Sequence, residues 1–235
     1  MPSKSTQLVL IRHGESEYNA LNQFTGAVDC ALTNKGLAQA RTCANWLREN
    51  TFHSVFCSKQ QRALQTRDIL LQTLSLENLP QITTADLNER DYGDLNGMNK
   101  QQASSTFGIS QVQSWRRDFK ACPPGGETLA ATAKRAYSCY KQNILPLLLS
   151  QHSVLVVAHG NSIRGLIYSL MGLSEQEITQ VEVGWCEPWI INFSLDQPES
   201  VEIFLHRDIG KQSRLPQSAL DIPVKMHGVV ASPAH

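Results

Sequence analysis

Two short apolar runs in the chain end in the same way, and that repeat limits what it can fold into. Leu8-Val9-Leu10-Ile11 runs into Arg12-His13-Gly14-Glu15, and Val154-Leu155-Val156-Val157-Ala158 runs into His159-Gly160-Asn161-Ser162. Unbroken aliphatic runs of this length suit strands buried on both faces, which have no polar side to show. Helical spacing follows each: Leu37, Ala40, Ala44 and Leu47 after the first, with Thr33 or Asn34 as N-cap, and Ile163, Leu166, Ile167 and Leu170 after the second. Alternating strands and helices predict an α/β fold of three layers, a mostly parallel sheet with flanking helices. Ligands of such sheets bind outside the carboxyl ends of the strands. If the two strands are neighbours, His13 and His159 face each other over one site.

Further strands are expected at Ser54-Val55-Phe56-Cys57, near Ile82 to Thr84, at Trp189 to Phe193 and at Val201 to Leu205. Ser58 is expected to cap the helix after the second strand, which places Arg62 in its first turn. A cation opposes the dipole there, so Arg62 has an anion to meet; the plainer alternative is an arginine that is solvated or paired with an acid. Arg12 beside an imidazole suggests an anionic substrate, most simply a phosphate, whereas a structural His13 would only cap a strand-end carbonyl. Gly14 is read as the point where the backbone turns sharply. The stretch Asp86 to Gly97, rich in Asn, Gly and charge, reads as a loop. Its Glu89 is either a general acid and base or part of a solvated acidic turn. Short helices are expected around Lys100 to Thr106 and Gln111 to Phe119. Arg116 and Arg117 in the second point about 100° apart and share a ligand only across a helix edge or end. Leu129, Ala133, Ala136 and Tyr140 mark a core-facing helix opened by Glu127 and Thr128.

Composition narrows the partners. With 21 basic and 21 acidic residues the formal charge is zero. No long-range field then favours nucleic acid or an acidic membrane, and anion recognition must come from a local cluster of Arg and Lys. The six cysteines are scattered without metal-ligand spacing, which suits reduced thiols in a cytoplasmic protein with no metal. No apolar run reaches membrane-spanning length, and only five residues separate the polar start from Arg12, too few for a signal-peptide core. From His206 onward the chain is polar and punctuated by Pro216, Pro223 and Pro233, as in an extended tail that could cover a site.

Taken together, Arg12-His13-Gly14-Glu15, Arg62, Glu89 and His159-Gly160-Asn161 resemble the histidine phosphatase superfamily. Asn88-Glu89-Arg90-Asp91-Tyr92-Gly93, Gly97 to Lys100 and Trp115-Arg116-Arg117 are similar to its cofactor-dependent phosphoglycerate mutases. The resemblance implies that His13 is the phosphorylated nucleophile and that Glu89 gives and takes the proton. It implies that Arg12, Arg62 and His159 hold the transferring phosphoryl group, with Asn19 and Gly160 assisting. Thr25, Gly26, Tyr92, Lys100, Arg116, Arg117 and Asn161 match positions that hold the rest of a phosphoglycerate. The activity implied is 2,3-bisphosphoglycerate-dependent interconversion of 3- and 2-phosphoglycerate in glycolysis and gluconeogenesis, with 2,3-bisphosphoglycerate as phosphoryl primer. The resemblance implies one domain over 1–210, a subdomain at 86–126 set over the site, and a tail at 211–235; a homo-oligomer is compatible with all of this. The chain departs from the family in three places. Pro123-Pro124-Gly125-Gly126 lacks the insertion of the larger mutases, Gly184-Trp185-Cys186-Glu187 stands where a Pro-Thr-Gly turn is usual, and the tail differs. A broad phosphomonoesterase using the same His13, and a silent binding protein that keeps the fold, are the competing readings.

Overall fold

The computed structural model describes residues 6–193, 201–205, 212–216 and 218. In chain order the elements begin β1 (Thr6–Arg12), α1 (Glu17–Ala20), α2 (Asn34–Trp46), β2 (Ser54–Ser58), α3 (Gln61–Leu74) and β3 (Gln81–Thr84). They continue with α4 (Lys100–Phe107), α5 (Ile109–Arg117), α6 (Leu129–Cys139), a π-helical turn at Tyr140–Ile144 and α7 (Leu145–Leu149). The last are β4 (Val154–Ala158), α8 (Gly160–Met171), α9 (Glu175–Ile178), β5 (Trp189–Phe193) and β6 (Val201–Leu205).

Among the described residues the strands form one six-stranded sheet in the order β3-β2-β4-β1-β5-β6. The first four are parallel to one another, and β5 and β6 add antiparallel pairings at one side. β1 and β4 are neighbours in register, Leu8 opposite Val154 and Arg12 opposite Ala158. Their side chains alternate between faces, as the two-residue period of a strand requires. Leu8, Leu10, Val154 and Val156 join α6 and α8 residues such as Ala136, Ile163 and Leu166 on one face. Val9, Ile11, Leu155 and Val157 join Ala40, Ala44, Ala63 and Leu70 of α2 and α3 on the other. Every one of these strand residues is fully buried. Each such fully buried aliphatic side chain stabilises the fold by about 1.5–3 kcal/mol. A third cluster, Phe24, Leu95, Ala103, Val112 and Trp115, packs α4 and α5 onto the loops beside the sheet.

One local expectation is corrected. The N-cap of α3 is Gln60, without a side-chain cap bond, and Ser58 is still the last residue of β2. Gly14 does not have a left-handed φ. It is required by a close approach, because a Cβ there would lie 2.4 Å from the Gly36 carbonyl oxygen at the start of α2. Thr33 caps α2 through the Gly36 N–H. Most of the tail expectation, including the cover it was read as, lies outside the described residues. Residues 212–216 are held against the segment before β5: Glu182 and Arg214 exchange two backbone bonds, and Glu187 accepts the Gln212 and Ser213 N–H groups. The six cysteines are free thiols. Among the described residues no helix is long and apolar enough to cross a membrane.

Candidate active site

The strand order β2-β4-β1 brings three loop starts to one edge. His13 follows β1 and donates its N–H to the Ala158 carbonyl at the end of β4 (3.1 Å). His159 follows β4, and the two imidazole centroids are 5.0 Å apart. His13 Nδ1 lies 2.6 Å from the Gly14 carbonyl oxygen, which can only accept, so Nδ1 carries the proton. The Nε2 lone pair receives the Arg62 Nε–H at 3.3 Å. Burial, then Arg62 and Arg12, push the His13 pKa well below its ordinary value against the pull of the Gly14 carbonyl, so the ring is neutral at neutral pH.

Arg62 is fully buried and, besides its bond to His13, donates to the carbonyls of Val28 (2.9 Å) and Gly26 (3.1 Å). Gly26 has φ +47°, and a Cβ there would strike the Asn96 side chain at 1.9 Å. Glycine therefore permits the turn that aims this carbonyl. Gln60 ties the loops together, donating to the same carbonyl and accepting the Glu89 N–H, both at 2.8 Å. Arg12 donates from one terminal nitrogen to Val183 O (2.8 Å), and its guanidinium lies 5.2 Å from the Trp185 ring centroid. Its Nε is buried without a hydrogen-bond partner among the described residues. Burial lowers the Arg12 pKa to about 10, opposed by Glu89, which leaves it charged at neutral pH.

Ser58 decides how His159 presents itself. Its hydroxyl proton goes to Asn88 Oδ1 (2.9 Å), an oxygen that also accepts the Lys59 N–H. Ser58 Oγ must therefore accept from His159 Nε2, 2.7 Å away, as it does from the Gln60 N–H. A neutral His159 then has its lone pair on Nδ1, which is buried without a hydrogen-bond partner among the described residues. Burial, and then Arg62, His13 and Arg12, hold its pKa well below the ordinary value. The ring is therefore neutral until an anion arrives to offset those cations.

Glu89 is half-buried, and its Oε1 accepts the N–H groups of Arg90 (2.8 Å) and Asn161 (3.1 Å). Arg135 of α6 grips the loop from below. It donates to the Asp86, Asn88 and Glu89 carbonyls and is paired with Glu127 at 2.8 Å. A Cβ on Gly160 would stand 3.6 Å from Arg12 Cζ and 3.7 Å from Glu89 Oε2, so the cation and the carboxylate flank the start of α8.

Arg12, Glu89 and Gly160 open onto a cleft of about 170 Å³, whose lining does not include His13, Arg62 or His159. Its lining includes Arg12, Glu89, Asn19, Thr25, Gly26, Tyr92, Lys100, Arg116, Arg117, Gly160 and Asn161, so all the sequence-derived binding residues meet there. His13, Arg62 and His159 are nearly closed to solvent, at 2%, 0% and 0% exposure. Asn19 Nδ2 donates weakly to Thr25 (3.4 Å), and Asn161 donates to the Tyr92 hydroxyl (3.2 Å). Burial, with Arg116 and Arg12 nearby, pulls Lys100 down to about 8 against Glu89. Arg116 and Arg117 end α5, where both can reach the cleft, but Arg117 is paired with Glu182 at 2.7 Å. Gln23, Phe24, Arg164 and Glu182 complete the lining. The sequence reading missed Gln60, Arg135, Arg164 and Glu182, and gave Ser58 only a capping role. None of them carries a motif, and their partners come from distant segments. Among the described residues no group of His, Cys, Asp and Glu is placed to hold a metal ion.

Residues 8–205 match the family described as the histidine phosphatase superfamily, branch 1. The chain belongs to the histidine phosphatase superfamily. Similar superfamily members include the 2,3-bisphosphoglycerate-dependent phosphoglycerate mutase of Methylobacterium radiotolerans, 40% identical over 86% of this chain and 96% of that protein. The enzyme of the same name from Bartonella quintana is 44% identical over 80% and 93%, and the phosphoglycerate mutase of Schizosaccharomyces pombe 43% over 80% and 90%. Solved structures share the fold. A mycobacterial glucosyl-3-phosphoglycerate phosphatase superposes with TM-score 0.72 at 24% identity, covering 86% of this chain and 97% of its own. The alpha-ribazole phosphatase of Shigella flexneri gives 0.70 at 24%, covering 91% and 97%.

Proposed function

We propose that the protein is a 2,3-bisphosphoglycerate-dependent phosphoglycerate mutase, acting through phosphohistidine at His13 in glycolysis and gluconeogenesis. The observation that carries this reading is a buried cluster, His13 with Arg12, Arg62 and His159, that adjoins through Arg12 a cleft holding further cations, Lys100, Arg116 and Arg117. Hydrolysis of a phosphomonoester needs only the pocket. The additional cations suit a substrate with a second anionic group, and sequence similarity to enzymes named as mutases supports the same reading.

The chemistry follows from the geometry. His13 Nε2 attacks phosphorus; the bond to the sugar-acid oxygen breaks, and Glu89 gives that oxygen a proton. In the second half the other hydroxyl loses its proton to Glu89, attacks the phosphohistidine and frees Nε2. The Gly14 carbonyl holds the Nδ1 proton throughout, which keeps Nε2 the nucleophile. Phosphoryl transfer spreads negative charge over the equatorial oxygens, so the protein's task is positioned positive charge. Arg62 supplies a fixed charge, Arg12 has an unused Nε–H, and His159 offers Nδ1 once protonated. Burial of His13 keeps water from the phosphohistidine.

2,3-Bisphosphoglycerate, when bound, supplies the phosphoryl group that loads His13. The unpartnered Arg12 Nε and His159 Nδ1, with Lys100 and Arg116, fit a ligand with one phosphate deep and another anionic group outside. The test is an assay of the purified protein on 3-phosphoglycerate. Interconversion stimulated by trace 2,3-bisphosphoglycerate is expected, and brisk phosphate release without stimulation would replace this reading with phosphatase.

A further inference from the structure

Among the described residues two carboxylates line the cleft, and only one has work in the reaction. Glu89 handles the proton. Glu182 is an acid facing a cleft whose lining carries five cations, Arg12, Lys100, Arg116, Arg117 and Arg164, and there it opposes the binding of an anion. Its Oε1 pairs with Arg117 at 2.7 Å and its Oε2 lies 3.7 Å from Arg164. Arg164 does not depend on it: Nε donates to Val181 O at 2.8 Å and a terminal nitrogen to Asn161 Oδ1 at 2.6 Å. Arg117 has little else, a 3.4 Å bond to Thr179 O. The Glu182 backbone is pinned by its two bonds with Arg214, so the carboxylate is delivered to Arg117 from a fixed main chain.

We infer that Glu182 is a built-in anion that competes with the substrate's outer anionic group for Arg117, and so tunes how strongly the site favours ligands with two anionic groups over ligands with one. This rests on the mutase reading, in which the outer group of a phosphoglycerate or bisphosphoglycerate occupies this end of the cleft. A second anionic group gains Arg117 only by displacing Glu182, so its net contribution is a difference between two ion pairs. A lone phosphate in the inner pocket meets Arg12, Arg62 and His159 and displaces nothing.

Glu182→Gln removes the competing charge, keeps the side-chain shape and leaves the backbone bonds with Arg214 in place. Calorimetry on the full chain compares 2,3-bisphosphoglycerate with inorganic phosphate. The Kd for bisphosphoglycerate is expected to fall about three- to fivefold, the scale of a partly exposed ion pair, with a smaller fall for phosphate. The KM for 3-phosphoglycerate falls in parallel. In an Arg117→Ala background the same substitution should lose its selective effect, which assigns the change to this pair. Equal shifts for both ligands would show a general field effect and overturn the inference, as would weaker bisphosphoglycerate binding, which would make Glu182 a support for Arg117. Absence of mutase activity in the unsubstituted protein would instead refute the function itself, so the two failures are distinct.

Discussion

Replacing Ser58 by Ala tests how the site prepares His159. The Ser58 hydroxyl serves three groups: it accepts from His159 Nε2 at 2.7 Å and from the Gln60 N–H at 3.2 Å, and donates to Asn88 Oδ1 at 2.9 Å. Asn88 Oδ1 keeps the Lys59 N–H, so two buried donors lose their acceptor. Each stranded donor costs about 1–3 kcal/mol, and His159 can recover part by moving its proton to Nδ1. A loss of about 2–4 kcal/mol in urea unfolding is therefore expected. Catalysis loses more than packing accounts for. The imidazolium that must face the phosphoryl group no longer has an acceptor for Nε2–H, and a hydrogen bond to a charged group is worth about 1.5–3 kcal/mol. That corresponds to a fall of roughly 10- to 100-fold in kcat/KM. Imidazole nitrogen NMR gives an independent readout, with His159 protonated at Nε2 in the parent and shifting toward Nδ1 in the variant. Unchanged kcat/KM together with an unchanged tautomer would refute the role assigned to Ser58.

Three further outcomes follow from the same geometry. Sulfate, which brings no titratable proton of its own, should bind the phosphoryl pocket with uptake of up to one proton and more tightly as pH falls below neutrality, because the anion raises a His159 pKa now held low; calorimetry in buffers of different ionisation enthalpy would expose the error as zero uptake. His13 and His159 are both depressed in the folded state, so they bind protons first in the unfolded chain. Their contribution to stability is full above about pH 6.5 and lost on acidification at up to about 1.4 kcal/mol per pH unit each, a slope that His159→Gln should reduce in urea titrations across this range. Gly14→Ala should destabilise by at least about 2 kcal/mol in the same assay, because its Cβ would meet the Gly36 carbonyl oxygen at 2.4 Å.

What the sequence made legible was what is continuous along the chain. β1 from Leu8 to Ile11 and all of β4 are aliphatic because helices cover both faces of the sheet, and their ends therefore announced His13 and His159. Adjacency of those strands was a condition the sequence could state but not meet; the order β2-β4-β1 meets it. Ser58 was read as a cap because serine before a helix commonly is one, yet β2 lies beside β4 and its end reaches His159 across the sheet. Arg135 sits among core-facing residues of α6, and nothing in its own neighbourhood reveals that it grips the loop carrying Glu89. The Arg116-Arg117 pair was recognisable, but Glu182, which holds one of them, lies in an irregular segment without periodicity.

The central claim is that His13 carries the phosphoryl group between substrates. Rapid quench after mixing the protein with radiolabelled 2,3-bisphosphoglycerate tests it most directly. The account predicts acid-labile, base-stable label on the protein, mapped to His13, lost in His13→Ala and chased off by 3-phosphoglycerate. An active protein that shows no such label, or keeps it when His13 is replaced, would contradict it.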